Sequence, residues 1–231
     1  MKTALILAAG LGSRFGILTQ TMPKGFLEIL GKPIIQMSVK NLLEKGYEKI
    51  VIVTGHQKFY YECFAEKYSE VETVFNNDYN YSGSGYSLYL GLQKIDGPCT
   101  VLESDLIYDK NILDIITHDA NMIVSSPVTD ADDAVFIEET NGYMSSLSKN
   151  SHELKNHNQE LVGITHLNTE GTKLLKNFNK GKFLKNAEYE HLYVKSNIRF
   201  ALRKTDYPWC EIDNIQHYYR AVNKVFPKIH K

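Results

Sequence analysis

Cysteine is scarce in this chain: Cys63, Cys99 and Cys210 are its only three in 231 residues, and they lie far apart. An odd, scattered set excludes a disulfide framework and a Cys-x-x-Cys metal site, and predicts reduced, structural thiols. Tryptophan is rarer still, with Trp209 alone. The eight histidines never adopt His-x-x-x-His spacing, and no Ser/His/Asp constellation stands out, so helical zinc chemistry and triad hydrolysis have no footing. His152 and His157 fall in a polar loop and read as solvated. An excess of one charge is lacking too: the formal net charge is −1, with both signs mixed along the chain. That leaves no footprint for nucleic acid or for a polybasic membrane contact. No apolar run approaches the ~20 residues of a membrane span, and the one after Met1-Lys2 stops at Gly10 without a cleavage pattern. The expectation is a cytoplasmic protein with a small-molecule partner, for which the Asn80-Tyr81-Ser82 sequon carries no weight. Nothing selects between a monomer and a homodimer.

What is present is enough apolar content, 43%, for one full core, so residues 1–231 read as a single domain. Short β-rich runs alternate with helical patterns through the first half: strand "TALILA" (3–8), helix "PIIQMSVKNLLEKG" (33–46), strand "KIVIVTG" (49–55). Ile35, Val39, Leu42 and Leu43 form one helical stripe, with Pro33 suited to the first turn and Gly46 to the C-cap. The rhythm continues with a helix near 56–68, strand 71–76, a helix starting near Ser84–Ser87, strand 99–105 and a helix from about Asp109. Such alternation predicts an α/β fold, a doubly wound and mostly parallel sheet. After "NMIVSSPV" (121–128) the runs "DAVFIEE", "GYMSSLS" and "LVGITHL" predict a small antiparallel extension, followed by closing helices near 187–201 and 214–224.

The stretch "LILAAGLGSRFGILTQTMPKGF" (5–26) carries the chemistry. A Walker A loop would need Gly-Lys-Ser/Thr, but Phe15 stands where its second glycine belongs. A dinucleotide turn would need its third glycine one residue earlier than Gly16. What remains is a strand ending in Ala8-Ala9, a Gly10-Leu11-Gly12 turn whose N–H groups can face an anion, and two cations, Arg14 and Lys24. Glycines admit a phosphate close to the main chain, and the cations supply a fork and a point charge. The composite reads as a triphosphate cradle, against the plainer alternative of a tight turn with two surface cations.

"LAAGLGSR" followed by "PKGFLEI" resembles the signature of the nucleotidyltransferases that activate sugar phosphates and alcohol phosphates. Further landmarks occur in the same order: "VLESD" ending in Asp105, "ELVGITHL" with Gly163, and "EID" ending in Asp213. The resemblance implies a Rossmann-like nucleotidyltransferase fold, with a nucleotide-binding part at 1–128, an acceptor-binding part at 129–213 and a closing helix at 214–231. It places Leu7, Ala8, Ala9, Gly10, Gly12, Ser13, Arg14, Lys24, Ser84, Gly85, Ser87 and Ser104 around the nucleotide. Arg14 and Lys24 are the catalytic candidates, Arg14 toward the β and γ phosphates and Lys24 toward the α-phosphate. Asp105 and Asp213 are the candidate ligands of Mg²⁺, a hard cation suited to carboxylate oxygens. Asp213 reads equally well as the N-cap of the helix behind it, and Ser84 as the cap of its own.

The layout is similar to the bacterial cytidylyltransferases that make CDP-choline. It is more similar to their 2-aminoethylphosphonate relatives, through "PKGFL", "SGSGYSLYL", "LESDLIYD", "LSK" and "ELVGI". That implies CTP and an amine-bearing phosphonate or phosphate as substrates. Trimethylammonium groups favour aromatic cages with tryptophan as the best wall, whereas Asp132, Asp133 and Glu160 can accept hydrogen bonds from a primary ammonium. Fifteen tyrosines leave a cage without tryptophan open as the alternative. Lys149 in "LSK" is the candidate contact to the acceptor's phosphorus group, and Tyr189 and Glu190 are candidate pocket residues.

Overall fold

The computed structural model describes residues 1–16, 18–129, 134–178 and 181–229. Strand β1 (Lys2–Ala8) is buried along almost its whole length, which is why its sequence is continuously apolar rather than alternating. It is followed by a short helix α1 (Leu18–Thr21) and a small hairpin of β2 (Glu28–Ile29) and β3 (Lys32–Pro33). Helix α2 (Ile34–Glu44) starts directly after Pro33 and buries Ile35, Val39 and Leu42, and Gly46 follows it at φ 77°. The chain then alternates through β4 (Tyr47–Thr54), α3 (Lys58–Ala65), β5 (Val71–Phe75), α4 (Ser84–Leu92) and β6 (Cys99–Glu103). The second half contributes β7 (Leu106–Tyr108), β8 (Met122–Pro127), β9 (Phe136–Thr140), β10 (Tyr143–Ser148), β11 (Gln159–Leu167), α5 (Thr169–Lys176), α6 (Lys182–Asn186) and α7 (Tyr189–Lys195). It closes with β12 (Ala201–Lys204), β13 (Trp209–Glu211), α8 (Ile215–Arg220) and α9 (Phe226–Ile229). Among the described residues no helix is long and apolar enough to cross a membrane.

The main sheet has nine strands in the order β5-β4-β1-β6-β11-β8-β12-β10-β9. From β1 the chain winds outward through β4 and β5, then returns to place β6 on the other side of β1, all four being parallel. The order therefore reverses between β1 and β6. In a doubly wound sheet the crevice outside the carboxyl ends of two such strands is the place for a ligand. Alternate residues of β1 feed two cores: Leu5 and Leu7 pack with Leu88, Leu92 and Phe200 on one face, and Ala4, Ile6 and Ala8 with Val39, Leu42 and Phe64 on the other. Each fully buried Leu or Ile contributes about 1.5–3 kcal/mol. Helix α4 lies unusually close to the sheet because Gly91 has no Cβ; one would stand 2.4 Å from Leu5 Cδ1.

Three expectations change. The run "LVGITHL" is not part of an edge extension: β11 enters the middle of the sheet, antiparallel to both β6 and β8, and only the β9–β10 hairpin extends the edge. The apolar run of β11 fits that central place, since every residue of it is buried. The helix expected over 187–201 stops at Lys195, and β12 takes the residues after it, pairing in parallel with β8. The helix expected from Asp109 is a short 3-10 segment of about two turns, Lys110–Ile115, capped by the Asp109 carboxylate, which accepts from the Asn111 N–H.

Candidate functional site

The β1 strand delivers the chain into the glycine turn at its carboxyl end, and the turn is braced from several sides. The Gly12 carbonyl accepts from the Phe15 N–H at 3.0 Å and from Thr19 Oγ1 at 2.7 Å, and the Ala9 carbonyl accepts from the His56 N–H at 3.2 Å. Gly12 sits at φ 66°, a left-handed conformation that favours glycine. A Cβ there would also stand 2.9 Å from Lys24 Cγ, so the bare backbone is the seat of the lysine stem. Gly10 has nothing within 4 Å on the side where a Cβ would project. One glycine is thus needed for packing and the other leaves the cavity open.

Lys24 leads a one-turn 3-10 segment after Pro23. Its ammonium is 2.7 Å from Asp105 Oδ2 and also binds Asp213 Oδ1. Arg14, half exposed, reaches the same Asp213 Oδ1 through Nη2 at 2.5 Å. Burial on its own lowers the Lys24 pKa, but the charges of Asp105 and Asp213 and the hydrogen bonds to them outweigh it, holding the ammonium above the ordinary lysine range. Tyr61, buried under this segment, fills the space beside Gly25, where a Cβ would come within 2.7 Å of its hydroxyl.

Two carboxylates that the sequence did not flag join this group. Glu103, Asp105 and Glu211 place one oxygen each within 4.8 Å of one another. Burial, then the charges of Asp105 and Glu190, push the Glu103 carboxyl up to about 8. Burial, then Glu103 and Asp105, push Glu211 well above the usual carboxylate range. The Tyr189 hydroxyl donates to Glu103 Oε1. Gly163 makes room for that carboxylate: it sits at φ 80°, and a Cβ there would fall 2.7 Å from Glu103 Oε2. The signal for the missed pair was in the sequence. Each of "ESD" and "EID" is Glu-x-Asp, and residues two apart on extended chain face the same way. Three carboxylates converging in this way, with Asp213 tied to Asp105 through Lys24, match the donor set of a hard divalent cation.

These groups line a cavity of about 490 Å³ together with Leu7, Ala8, Ala9, Gly10, Gly12, Ser13, Arg14, Ser84, Ser87, Ser104, Lys149, Tyr189 and Glu190. Burial pushes Glu190 up to about 7, against the pull of its own backbone and of the Lys149 charge. Gly85 does not line it: its N–H donates to the Ala187 carbonyl at 2.9 Å, and a Cβ would strike that same oxygen at 2.7 Å. The Gly83 and Ser84 N–H groups are likewise taken, by the Lys185 carbonyl and the Glu188 carboxylate. The start of α4 is therefore a packing joint with the α6–α7 connection, its Gly83, Ser84 and Gly85 N–H groups all taken. Ser84 is the first residue of α4 rather than its cap, and its hydroxyl accepts from the Tyr189 N–H at 2.9 Å. Asp213 caps no helix either; Asn214 does, accepting from the His217 N–H at 2.9 Å. Glu160 is buried in β11 and does not line this cavity; it faces a small neighbouring one with Trp209 and Arg220, and Glu103, Val135 and Glu211 line both. Asp132 and Asp133 lie outside the described residues.

Residues 4–161 match the family model described as the MobA-like NTP transferase domain. Among curated proteins, the choline-phosphate cytidylyltransferase of Streptococcus pneumoniae is 37% identical over 109 residues, 47% of either chain. The 2-aminoethylphosphonate cytidylyltransferase of Lancefieldella rimae is 33% identical over 105 residues, 45% of this chain and 43% of that one. The aligned stretch thus spans about half the length of the curated relatives it matches. Of solved structures, the CTP:phosphocholine cytidylyltransferase from Streptococcus pneumoniae superposes with a TM-score of 0.82 at 24% identity, covering 96% of this chain and 98% of that one. The inositol-1-phosphate CTP transferase from T. maritima superposes with a TM-score of 0.86 at 18% identity, covering 100% and 97%. Both share the fold. With the family model spanning well over half of the sequence and the glycine turn inside it, the chain belongs to the MobA-like NTP transferase family.

Proposed function

We propose that this protein is a cytidylyltransferase that moves CMP from CTP to 2-aminoethylphosphonate and releases pyrophosphate. The observation that carries the reading is the meeting of the open Gly10 turn, Lys24 and Asp105 on one cavity, with Lys24 Nζ 2.7 Å from Asp105 Oδ2. A triphosphate lying on the turn places its phosphates between two cations and a cluster of carboxylates.

In the reaction a phosphonyl oxygen attacks the α-phosphorus in line. A P–O bond forms there as the bond to the β-phosphate breaks, and pyrophosphate leaves with the electron pair. No protein nucleophile is required, because a phosphate-type group with a second pKa of about 6 is already largely dianionic near neutrality. Lys24 and Arg14 neutralise charge that grows on the α-phosphate and on the leaving group, which is where preorganised cations act most strongly. Glu103, Asp105, Glu211 and Asp213 would hold a divalent cation, which when bound supplies further charge neutralisation at the phosphates. Lys149, exposed at the cavity edge, suits the acceptor's phosphorus group.

The amine is assigned from the other wall. Glu188 and Glu190 line the cavity beside Tyr189 and Glu103, and the single tryptophan does not. Carboxylates that can accept hydrogen bonds favour a primary ammonium. A phosphocholine acceptor is the second reading, favoured by Tyr79 and Tyr189 in the same lining, since tyrosine faces also hold quaternary ammonium. The test is pyrophosphate release from CTP and Mg²⁺ with each acceptor in turn. Release that requires 2-aminoethylphosphonate supports the proposal; release with phosphocholine alone moves it to the second reading; none with either acceptor refutes it.

A further inference from the structure

Lys24 and a divalent cation compete for the same oxygen atoms. The ammonium is 2.7 Å from Asp105 Oδ2 and bound to Asp213 Oδ1, and Arg14 Nη2 is 2.5 Å from that second oxygen. Asp105 is also a member of the carboxylate cluster with Glu103 and Glu211. Mg²⁺ takes its oxygen ligands at about 2.0–2.1 Å in a strict geometry. An ammonium hydrogen-bonded to one of those carboxylates both fills part of that space and repels the ion. The lysine stem rests on Gly12 of the glycine turn, where there is no Cβ to block it.

We propose that Lys24 is the resident counter-ion of the carboxylates in the free protein, and that the triphosphate, by drawing Lys24 to itself, opens them to the metal. Metal binding is then weak without nucleotide and follows from the lysine's departure. This rests on the preceding reading in taking the cluster as the metal site, but its test does not use turnover.

Mn²⁺ is the probe, titrated into nucleotide-free protein and followed by its electron paramagnetic resonance signal. Lys24→Met and Lys24→Gln are expected to bind Mn²⁺ at least about tenfold more tightly than the natural protein, a difference well within what such titrations resolve. Lys58→Met removes an exposed lysine paired with Glu62 and is expected to leave the affinity unchanged. Far-UV circular dichroism checks that the variants are folded. In the natural protein the Lys24 ammonium resonance gives a second reading that needs no variant: it is expected to shift as Mg²⁺ saturates the site without nucleotide. Equal Mn²⁺ affinity in the natural protein and both folded Lys24 variants would overturn the proposal, as would Mg²⁺ saturation that leaves the ammonium resonance in place. If either occurs while CTP still turns over, the exchange falls and the transferase reading stands. Tightening without any turnover does the reverse.

Discussion

The backbone N–H of Ile212 donates to the carbonyl oxygen of Asp105 at 3.0 Å. That bond continues the antiparallel pairing of β7 with β13, in which Leu106 lies opposite Glu211. It brings together two Glu-x-Asp segments from distant parts of the chain, Glu103 with Asp105 and Glu211 with Asp213. A two-stranded ribbon outside the main sheet thus sets the spacing of the carboxylates. Lys24 bridges the two aspartates across it.

Asp105→Asn is expected to raise the Mg²⁺ concentration needed for half-maximal pyrophosphate release by about tenfold or more, since a neutral amide is a poorer partner for a hard cation. The Asp105 carbonyl still accepts from Ile212, so the ribbon and the fold persist. An unchanged Mg²⁺ titration removes Asp105 from the ligand set.

Lys24→Ala is expected to lower kcat by roughly 10²–10³-fold, the scale for losing one preorganised charge at a transition state. KM for CTP changes less, because Arg14 and the glycine turn remain to hold the triphosphate. Steady-state kinetics on protein of normal circular dichroism separates the two effects. A near-normal kcat removes Lys24 from the chemistry.

Much of the first half of the fold was legible because β1 and β4 carry long apolar runs and α2 is an amphipathic stripe followed by Gly46. The place of β11 was not, because its run mixes apolar residues with Gln159, Glu160, Thr165 and His166, and only the tertiary pairing with β6 and β8 selects the centre of the sheet. In the site, Gly10, Gly12, Arg14 and Lys24 could be named from the residues and their spacing, and Asp105 and Asp213 only through the family resemblance. The packing of Gly85 was not legible because its partner, the Ala187 carbonyl in the α6–α7 connection, is about a hundred residues away in sequence. Glu103 and Glu211 went unread although each stands two residues before its aspartate, because only the pairing of β7 with β13 shows that the two Glu-x-Asp segments meet.

Gly12→Ala and Gly10→Ala separate packing from access. At Gly12 the φ of 66° and the contact with Lys24 Cγ predict a loss of about 1–2 kcal/mol in unfolding free energy together with a fall in activity. At Gly10 the methyl group projects into open space, so stability is expected to stay close to that of the natural protein while CTP affinity drops. Urea unfolding beside CTP titration checks both, and equal destabilisation by the two substitutions would refute the distinction.

His166 lies almost fully buried in β11, its Nδ1 3.1 Å from Thr100 Oγ1, which in turn is 2.8 Å from the Tyr47 hydroxyl. The His118 ring meets it edge-on with centroids 5.1 Å apart. Burial, and then the charge of His118, lower the His166 pKa to about 4 from an ordinary 6.5. Between those values the unfolded chain takes up a proton that the folded protein refuses. Stability from this group is therefore complete above pH 6.5 and is lost as the pH falls toward 4, at up to about 1.4 kcal/mol per pH unit. Urea unfolding of the natural protein at pH 7.5, 5.5 and 4.5 is compared with that of His166→Gln, which keeps a hydrogen-bonding group but cannot titrate. The variant is expected to start less stable and to lose less on acidification, because the carboxylates and other histidines contribute equally to both. Parallel loss in the two proteins would mean that His166 takes up its proton as readily when folded as when unfolded.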